Sequence, residues 1–301
     1  MSTDLFATVL DCNGRSLTLD RPRVVGVINV TPDSFSDGGQ FADVDAAVSH
    51  GLRLAEEGAD MLDIGGESTR PGAHDVSIDE ELKRVIPVIE QLAARTSLPI
   101  AIDTSKPEVM RAGVAAGAGM INDVYALRRE GAMDAVAELR VPVCLMHMQG
   151  EPRSMQDAPH YDDVVGEVHR FLTDRLFSCE ISGIDRRKVM VDPGFGFGKD
   201  MEHNLALLRR LERFADLGSG VYVGLSRKSM IGTLTGRKQP ADRAAGSVAA
   251  ALIAVQRGAR MVRVHDVAAT VDALKVWHAV QSGDKPERRD TPKAPRWPDD
   301  E

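Results

Sequence analysis

Short apolar runs recur along the chain, and between them lie segments whose apolar residues return at helical spacing. The runs Val24–Asn29, Asp60–Ile64, Leu98–Asp103, Met120–Asp123, Val141–His147, Lys188–Asp192, Gly220–Ser226 and Met261–His265 read as buried strands. The intervening segments predict helices over Asp43–Glu57, Ser77–Arg95, Lys106–Ala116, Gly131–Arg140, Tyr161–Gly183, Met201–Phe214, Lys228–Gly236, Asp242–Arg257 and Val267–Gln281. Eight strands, each followed by a helix and with no second sheet-like region, predict one parallel sheet closed into a (β/α)₈ TIM barrel. The structural alternative is a doubly wound open sheet, which fewer repeats would favour.

The ends of the chain depart from this alternation. Phe6–Asp20 alternates around Asn13-Gly14, a type I′ turn signal, and predicts a short N-terminal β-hairpin covering the bottom of the barrel. Residues 283–301 carry prolines and many charges with little apolar content besides Trp297, which predicts a disordered C-terminal tail. Residues 1–282 then form a single barrel domain.

Composition narrows the partners. Hydrophobic residues make up 43% of the chain and aromatics only 4%, a balance that suits helices packed closely on a parallel sheet. The formal net charge is −8 and the body of the chain has no long basic block, so no nucleic-acid surface is expected. The three cysteines, Cys12, Cys144 and Cys179, fit neither a disulfide framework nor zinc-ligand spacing. With no signal-peptide pattern and no apolar run long enough to span a bilayer, a cytoplasmic chain with no membrane partner is expected.

In barrels of this kind the ligand site lies at the carboxyl ends of the strands. Those ends carry Asn29, Gly65-Gly66-Glu67, Asp103, Asn122-Asp123, His147, Asp192, Ser226-Arg227-Lys228, and Arg263 with His265. Any one of these is ordinarily a turn former or a helix cap. A ring of them at one mouth needs a ligand or internal pairing. Asp192 is the sharpest case, because it closes a buried strand and leads into Pro193 and a glycine-rich loop, where an unpartnered charge is costly. Asp103, Asn122, Asp192 and Lys228 together offer acceptors, donors and an amide, a set that suits a planar heterocycle with N–H edges and a carbonyl. Arg70, Arg263 and His265 suit an anion such as phosphate. Asn29 and Thr31 offer oxygens for a Mg²⁺ ion held partly by substrate phosphates.

Other signals are weaker. The stretch Gly194–Lys199 is neither a Walker A loop nor a dinucleotide fingerprint, since its spacing is wrong for both. His147, His160 and His169 lack zinc-ligand spacing, and His147 reads equally as a mouth residue or a satisfied core histidine. Lys228 has a Schiff-base reading, with the neighbouring Arg227 lowering its pKa.

The stretches VINVTPDSFSDGG (from Val27), DIGGESTRPGA (from Asp63), IDTSKPEVMRAGVAAGA (from Ile102), VCLMHMQG (from Val143), VDPGFGFGK (from Val191), GLSRKSMIG (from Gly224) and RVHDV (from Arg263) resemble the dihydropteroate synthase family. The resemblance runs in order from about Val24 to about Ala279. It implies a (β/α)₈ barrel that condenses 6-hydroxymethyl-7,8-dihydropterin diphosphate with 4-aminobenzoate, with Mg²⁺ as cofactor, and a homodimer. It further implies that Asp103, Asn122, Asp192 and Lys228 bind the pterin, that Arg263 lies over the ring and reaches the diphosphate, and that Met146 and Phe197 line the pocket. Asn29, Thr69, Arg70 and His265 match the diphosphate and magnesium region, with Asn29 the metal ligand. Phe35, Pro71 and Ser229 match the aminobenzoate pocket, where sulfonamides bind.

The implied path is dissociative: diphosphate leaves first, Asp103 stabilises the pterin cation, and Arg70, Arg263 and His265 hold the leaving group. Lys228 completes the catalytic set. Three other readings remain at this point: a pterin-binding barrel of another activity, such as a corrinoid-dependent methyltransferase; a non-catalytic pterin-binding paralogue; and an aldolase using Lys228. The first would not need the long loops with Phe35 and Arg70-Pro71. The second should have lost diphosphate ligands, and the third would be trapped by borohydride.

Overall fold

The barrel strands are apolar on both faces, and side-chain alternation along each one sorts them into an inner and an outer core. The computed structural model describes residues 8–31, 40–68, 75–151 and 154–283. Strands β1 (Val9–Cys12) and β2 (Arg15–Thr18) form an antiparallel hairpin. Strands β3 (Arg23–Asn29), β4 (Met61–Gly65), β5 (Ile100–Asp103), β6 (Met120–Asp123), β7 (Val143–Met146), β8 (Val189–Asp192), β9 (Val221–Val223) and β10 (Ala259–Val264) close into a parallel barrel in which β10 returns to β3. Helices α1 (Gln40–Glu56), α2 (Ile78–Arg95), α3 (Pro107–Ala115), α4 (Ala132–Leu139), α5 (Val164–Ile181), α6 (Met201–Arg209), α7 (Ser229–Thr235), α8 (Ala244–Gln256) and α9 (Val267–Ser282) lie between and after the strands. The expected (β/α)₈ barrel with its N-terminal hairpin is the observed fold.

Ile28, Leu62, Ile64, Ile102, Ile121 and Val191 face outward and join the core shared with the helices. The strand registers step the inward residues into layers drawn from alternate strands, as barrel closure requires. The lowest layer is Met61, Met120, Met190 and Met261; Val25, Ala101, Cys144 and Tyr222 interleave above it. Leu10, Cys12, Leu17 and Leu19 of the hairpin join this inner cluster from below. The hairpin therefore plugs the barrel.

The plug is held in register by its turn. Asn13 and Gly14 have φ of 56° and 82°, the left-handed pair that a type I′ turn needs. Asn13 Nδ2 donates to the carbonyls of Val114 (3.2 Å) and Ala118 (3.1 Å) beneath the α3–β6 connection. A Cβ on Gly119 would stand 2.2 Å from the Cys12 carbonyl oxygen, so only glycine fits there.

The expected elements overshoot in places. The run Gly220–Ser226 yields only Val221–Val223 as strand, because Leu225 already accepts from Lys228 N–H (3.4 Å) in a turn toward α7. Helix α5 begins at Val164 instead of Tyr161: the Glu167 carboxylate accepts from the N–H groups of Asp162 (2.9 Å) and Asp163 (3.0 Å), and Tyr161 Oη donates to Gly198 O (2.9 Å). The expected tail lies outside the described residues from position 284 onward.

Candidate active site

Two residues beyond each floor methionine, on the same strand and the same inward face, stand Asp63, Asn122, Asp192 and Arg263. This layer of alternate strands is entirely polar. The layer above it interleaves Val27, Asp103, Met146 and Gly224. Gly224 contributes no side chain, and a Cβ there would meet nothing within 4 Å, so the mouth is open on that side.

Polar groups in this layer pair with each other first. Asp63 is fully buried; its Oδ2 accepts from Arg263 Nε and from Asn122 Nδ2 (3.1 Å). Arg263 Nη2 donates to Asp103 Oδ2 at 2.9 Å, so one guanidinium bridges two carboxylates. Burial pushes the Asp103 pKa up to about 7; Arg263 opposes the rise and Asp63 adds to it. Burial also works against the charge on Arg263, but Asp63 and Asp103 outweigh it and its pKa is raised.

Asp192 closes β8 with Oδ1 accepting from Gly194 N–H at 2.7 Å. Burial raises its pKa, against Lys228 and that N–H. Lys228 precedes α7 and reaches back over the mouth, where its Nζ donates to Phe195 O and stands 4.6 Å from the Phe197 ring centroid. Burial pulls its pKa down to about 8, opposed by Asp192 and aided by Arg263. The sequence-based expectation assigned that depression to Arg227. Arg227 instead forms a bidentate pair with Asp266 (3.0 and 2.5 Å), which neutralises it. Met146 packs with Val124, Met148 and Met155, and Phe197 lies against them as an apolar wall.

Part of the expected ring proves to be scaffolding. Asp123 follows Asn122 and so faces the other way; it accepts from Ser105 Oγ and from the N–H groups of Tyr125 (2.9 Å) and Leu127 (2.7 Å). Glu67 accepts from Lys106 Nζ (2.6 Å) and Val76 N–H (3.0 Å). His147 is the core histidine of the two readings. It is buried edge-on against Phe171, and burial followed by the Lys199 charge pulls its pKa down to about 2. Lys199 Nζ contacts His147 Nδ1, Gly194 O and Phe197 O, each at 2.9 Å, and pins the glycine-rich loop that carries Phe197.

Asn29 closes β3 beside Gly65 at the rim. His265 follows β10, with its N–H and Nδ1 at 3.2 and 3.1 Å from Ser226 Oγ. Ser229 opens α7 and is exposed. Phe35, Thr69, Arg70 and Pro71 lie outside the described residues. Reading strand ends missed Asp63, which sits one pleat inside β4. Its signal was a carboxylate within an apolar run, in phase with the other polar positions. It also missed Lys106, whose ammonium joins Glu67 and the fully buried Glu81 (2.5 Å).

No group of three or more His, Cys, Asp or Glu among the described residues could hold a metal. The amide of Asn29 is a neutral oxygen donor at the rim. Such a donor set fits Mg²⁺ as an ion carried largely by phosphate oxygens and water.

Residues 25–265 match the pterin binding enzyme family. The chain is 50% identical over 279 residues to dihydropteroate synthase of Escherichia coli K12, covering 93% of this chain and 99% of that protein. The chain belongs to the dihydropteroate synthase family. A Xanthomonas albilineans dihydropteroate synthase solved with 4-aminobenzoic acid superposes with a TM-score of 0.88 at 68% identity, covering 92% of this chain and 99% of that one. The same organism's dihydropteroate synthase in complex with 7,8-dihydropteroate gives 0.84 at 64% identity, over 91% and 99% of the two chains.

Proposed function

We propose that this mouth condenses 6-hydroxymethyl-7,8-dihydropterin diphosphate with 4-aminobenzoate, releasing 7,8-dihydropteroate and diphosphate. The observation that carries the reading is the polar layer Asp63, Asn122, Asp192 and Arg263, roofed by Asp103 and Lys228 and walled by Met146 and Phe197. Its donors and acceptors suit a flat bicycle with an amide-like edge. The two Xanthomonas complexes support the ligand classes.

In this reading Asp192 takes the ring N3–H and the 2-amino group, Asn122 the neighbouring edge, and Lys228 the O4/N5 side. Arg263 lies over the ring toward the diphosphate, which Thr69, Arg70 and His265 also hold. Phe35, Pro71 and Ser229 receive 4-aminobenzoate, and sulfonamides of similar shape compete there. The methylene C–O bond breaks first, and its electron pair leaves with diphosphate. The Asp103 carboxylate stabilises the cation left on the pterin. The arylamine nitrogen then forms the new C–N bond and sheds one proton. When bound, Mg²⁺ would neutralise charge on the leaving group, and Asn29 is the described residue suited to hold it.

Two copies of the chain associate in this reading. Exposed Ile253 on α8, with Val276 and Val280 on the neighbouring α9, supports such a face. A cytoplasmic location is supported by three free, buried cysteines. Among the described residues no helix is long and apolar enough to cross a membrane.

The deciding experiment is diphosphate release from the pterin diphosphate, with and without 4-aminobenzoate and Mg²⁺. Metal-dependent release coupled to dihydropteroate formation is expected. Tight pterin binding with no release under any condition would leave only a binding module.

A further inference from the structure

We infer that Asp63 is a positioning residue for the pterin end of the pocket: it sets the Arg263 guanidinium and the Asn122 amide against the barrel floor without touching substrate. The inference rests on the proposed roles of Arg263 and Asn122. Its basis is the polar layer. Four alternate strands each supply one side chain to that layer, and Asp63 alone is 0% exposed. Its neighbours in the sheet, Val27 and Ala101, are apolar, so its partners must come from two strands away on either side. Arg263 reaches it from β10 and Asn122 from β6, both through Oδ2, while Oδ1 has no hydrogen-bond partner among the described residues.

One oxygen thus orients two groups of different chemistry. The Arg263 Nε fork is turned so that Nη2 meets Asp103. The Asn122 amide is turned so that its NH₂ faces Asp63, which points its carbonyl oxygen elsewhere and fixes which amide atom serves as acceptor. Without Asp63 the guanidinium keeps one anionic partner and gains freedom about its long stem. The amide is then free to present either atom.

The test uses the full chain and three variants: Asp63→Asn, Arg263→Met, and the two combined. Diphosphate release is followed at varied concentrations of each substrate. Asp63→Asn should raise KM for the pterin diphosphate by about 10- to 100-fold, by analogy with the loss on removing the hydrogen-bond partner that orients a metal-ligating side chain. It should leave KM for 4-aminobenzoate unchanged, whereas general loosening of the barrel would move both. Because Asp63 acts largely through Arg263, the combined variant should lose little more kcat/KM than Arg263→Met alone, and it should melt no lower. That second comparison holds even if Asp63→Asn alone folds poorly, since Asp103 loses its cation equally in Arg263→Met and in the combined variant, and only Arg263→Met also leaves the Asp63 carboxylate buried without one. Independent, multiplying losses, or an unchanged pterin KM in Asp63→Asn, would overturn the inference. Full activity in Arg263→Met would instead overturn the proposed site.

Discussion

Arg263 Nη2 stands 2.9 Å from Asp103 Oδ2, so the carboxylate assigned to the cation is already engaged by the guanidinium assigned to the leaving group. The pairing makes the ionisation of Asp103 a property of the Asp63–Arg263–Asp103 group. Burial sets it at about 7. Only the ionised form stabilises a cation. Activity should therefore rise with pH through an apparent pKa of about 7, read from kcat/KM for the pterin diphosphate. Asp103→Asn should lower turnover by about 10²- to 10³-fold and flatten that limb. Unchanged turnover in the variant would remove Asp103 from its role.

The same residue makes an opposite prediction for stability. Its pKa is raised on folding, from 3.8 to about 7, so its favourable contribution is present at low pH and is lost as pH rises through the folded value. Asp103→Asn should therefore melt higher than the parent at about pH 8 and close to it at about pH 4, near the unfolded value of 3.8. Thermal melts at the two pH values check this. A lower melting point at the higher pH would mean that the Arg263 pair outweighs burial.

Lys228 supplies the alkaline limb. Burial holds it at about 8, so it loses its charge above that value while an ordinary lysine would keep it. KM for the pterin diphosphate should rise through about pH 8, and Lys228→Met should raise it at all pH values. Failure of borohydride to trap Lys228 with carbonyl compounds is also expected. A pH-independent KM between 7 and 9 would show that Lys228 charge is not used, 8 being the value at stake.

Much of this molecule was legible because a parallel barrel strand must be apolar on both faces, which makes each run conspicuous. The strand ends put Asp103, Asn122 and Asp192 at the mouth, where the structure places them on the inward face. They did not separate inward from outward, and that is why Asp123 entered the ring with Asn122 although the pleat sends it to the helix side. The local partners of Glu67 and Arg227, Lys106 and Asp266, are distant in sequence, so neither pairing left a pattern to read. Asp63 stayed hidden for the converse reason: an aspartate inside DMLDI looks like an interruption until its phase is matched to Met61 below it. Lys199 looked like part of a failed phosphate motif, and only the fold showed it bonded to its own loop.

That loop yields the next prediction. Lys199 is buried and bonds Gly194 O, Phe197 O and His147 Nδ1, and burial lowers its pKa well below the usual lysine value. Lys199→Met should strand these acceptors and cost about 3 kcal/mol, each unpaired buried group costing about 1–3. Because Phe197 moves with the loop, KM for the pterin diphosphate should rise as well. Denaturant unfolding and steady-state kinetics check the two parts. A stable variant with normal KM would show that the loop holds itself.

Gly119 tests the plug from the opposite end of the barrel. Its φ is not in the left-handed region, so backbone freedom does not explain the glycine. The Cys12 carbonyl does, at 2.2 Å from where a Cβ would lie, with the Cys12 Cα at 2.8 Å. Both are backbone atoms of β1, and neither can turn aside as a flexible side chain would. Gly119→Ala must therefore push the hairpin off the methionine floor or bend the start of β6. Overpacking of this kind typically costs about 1–3 kcal/mol. Gly14→Ala, at φ 82° with nothing within 4 Å of its Cβ, should cost less, about 1 kcal/mol of turn strain. Denaturant midpoints should rank the parent above Gly14→Ala and Gly14→Ala above Gly119→Ala, with KM for both substrates unchanged in any variant that folds. The reverse ranking would mean that the hairpin is held by its turn and not by its seat.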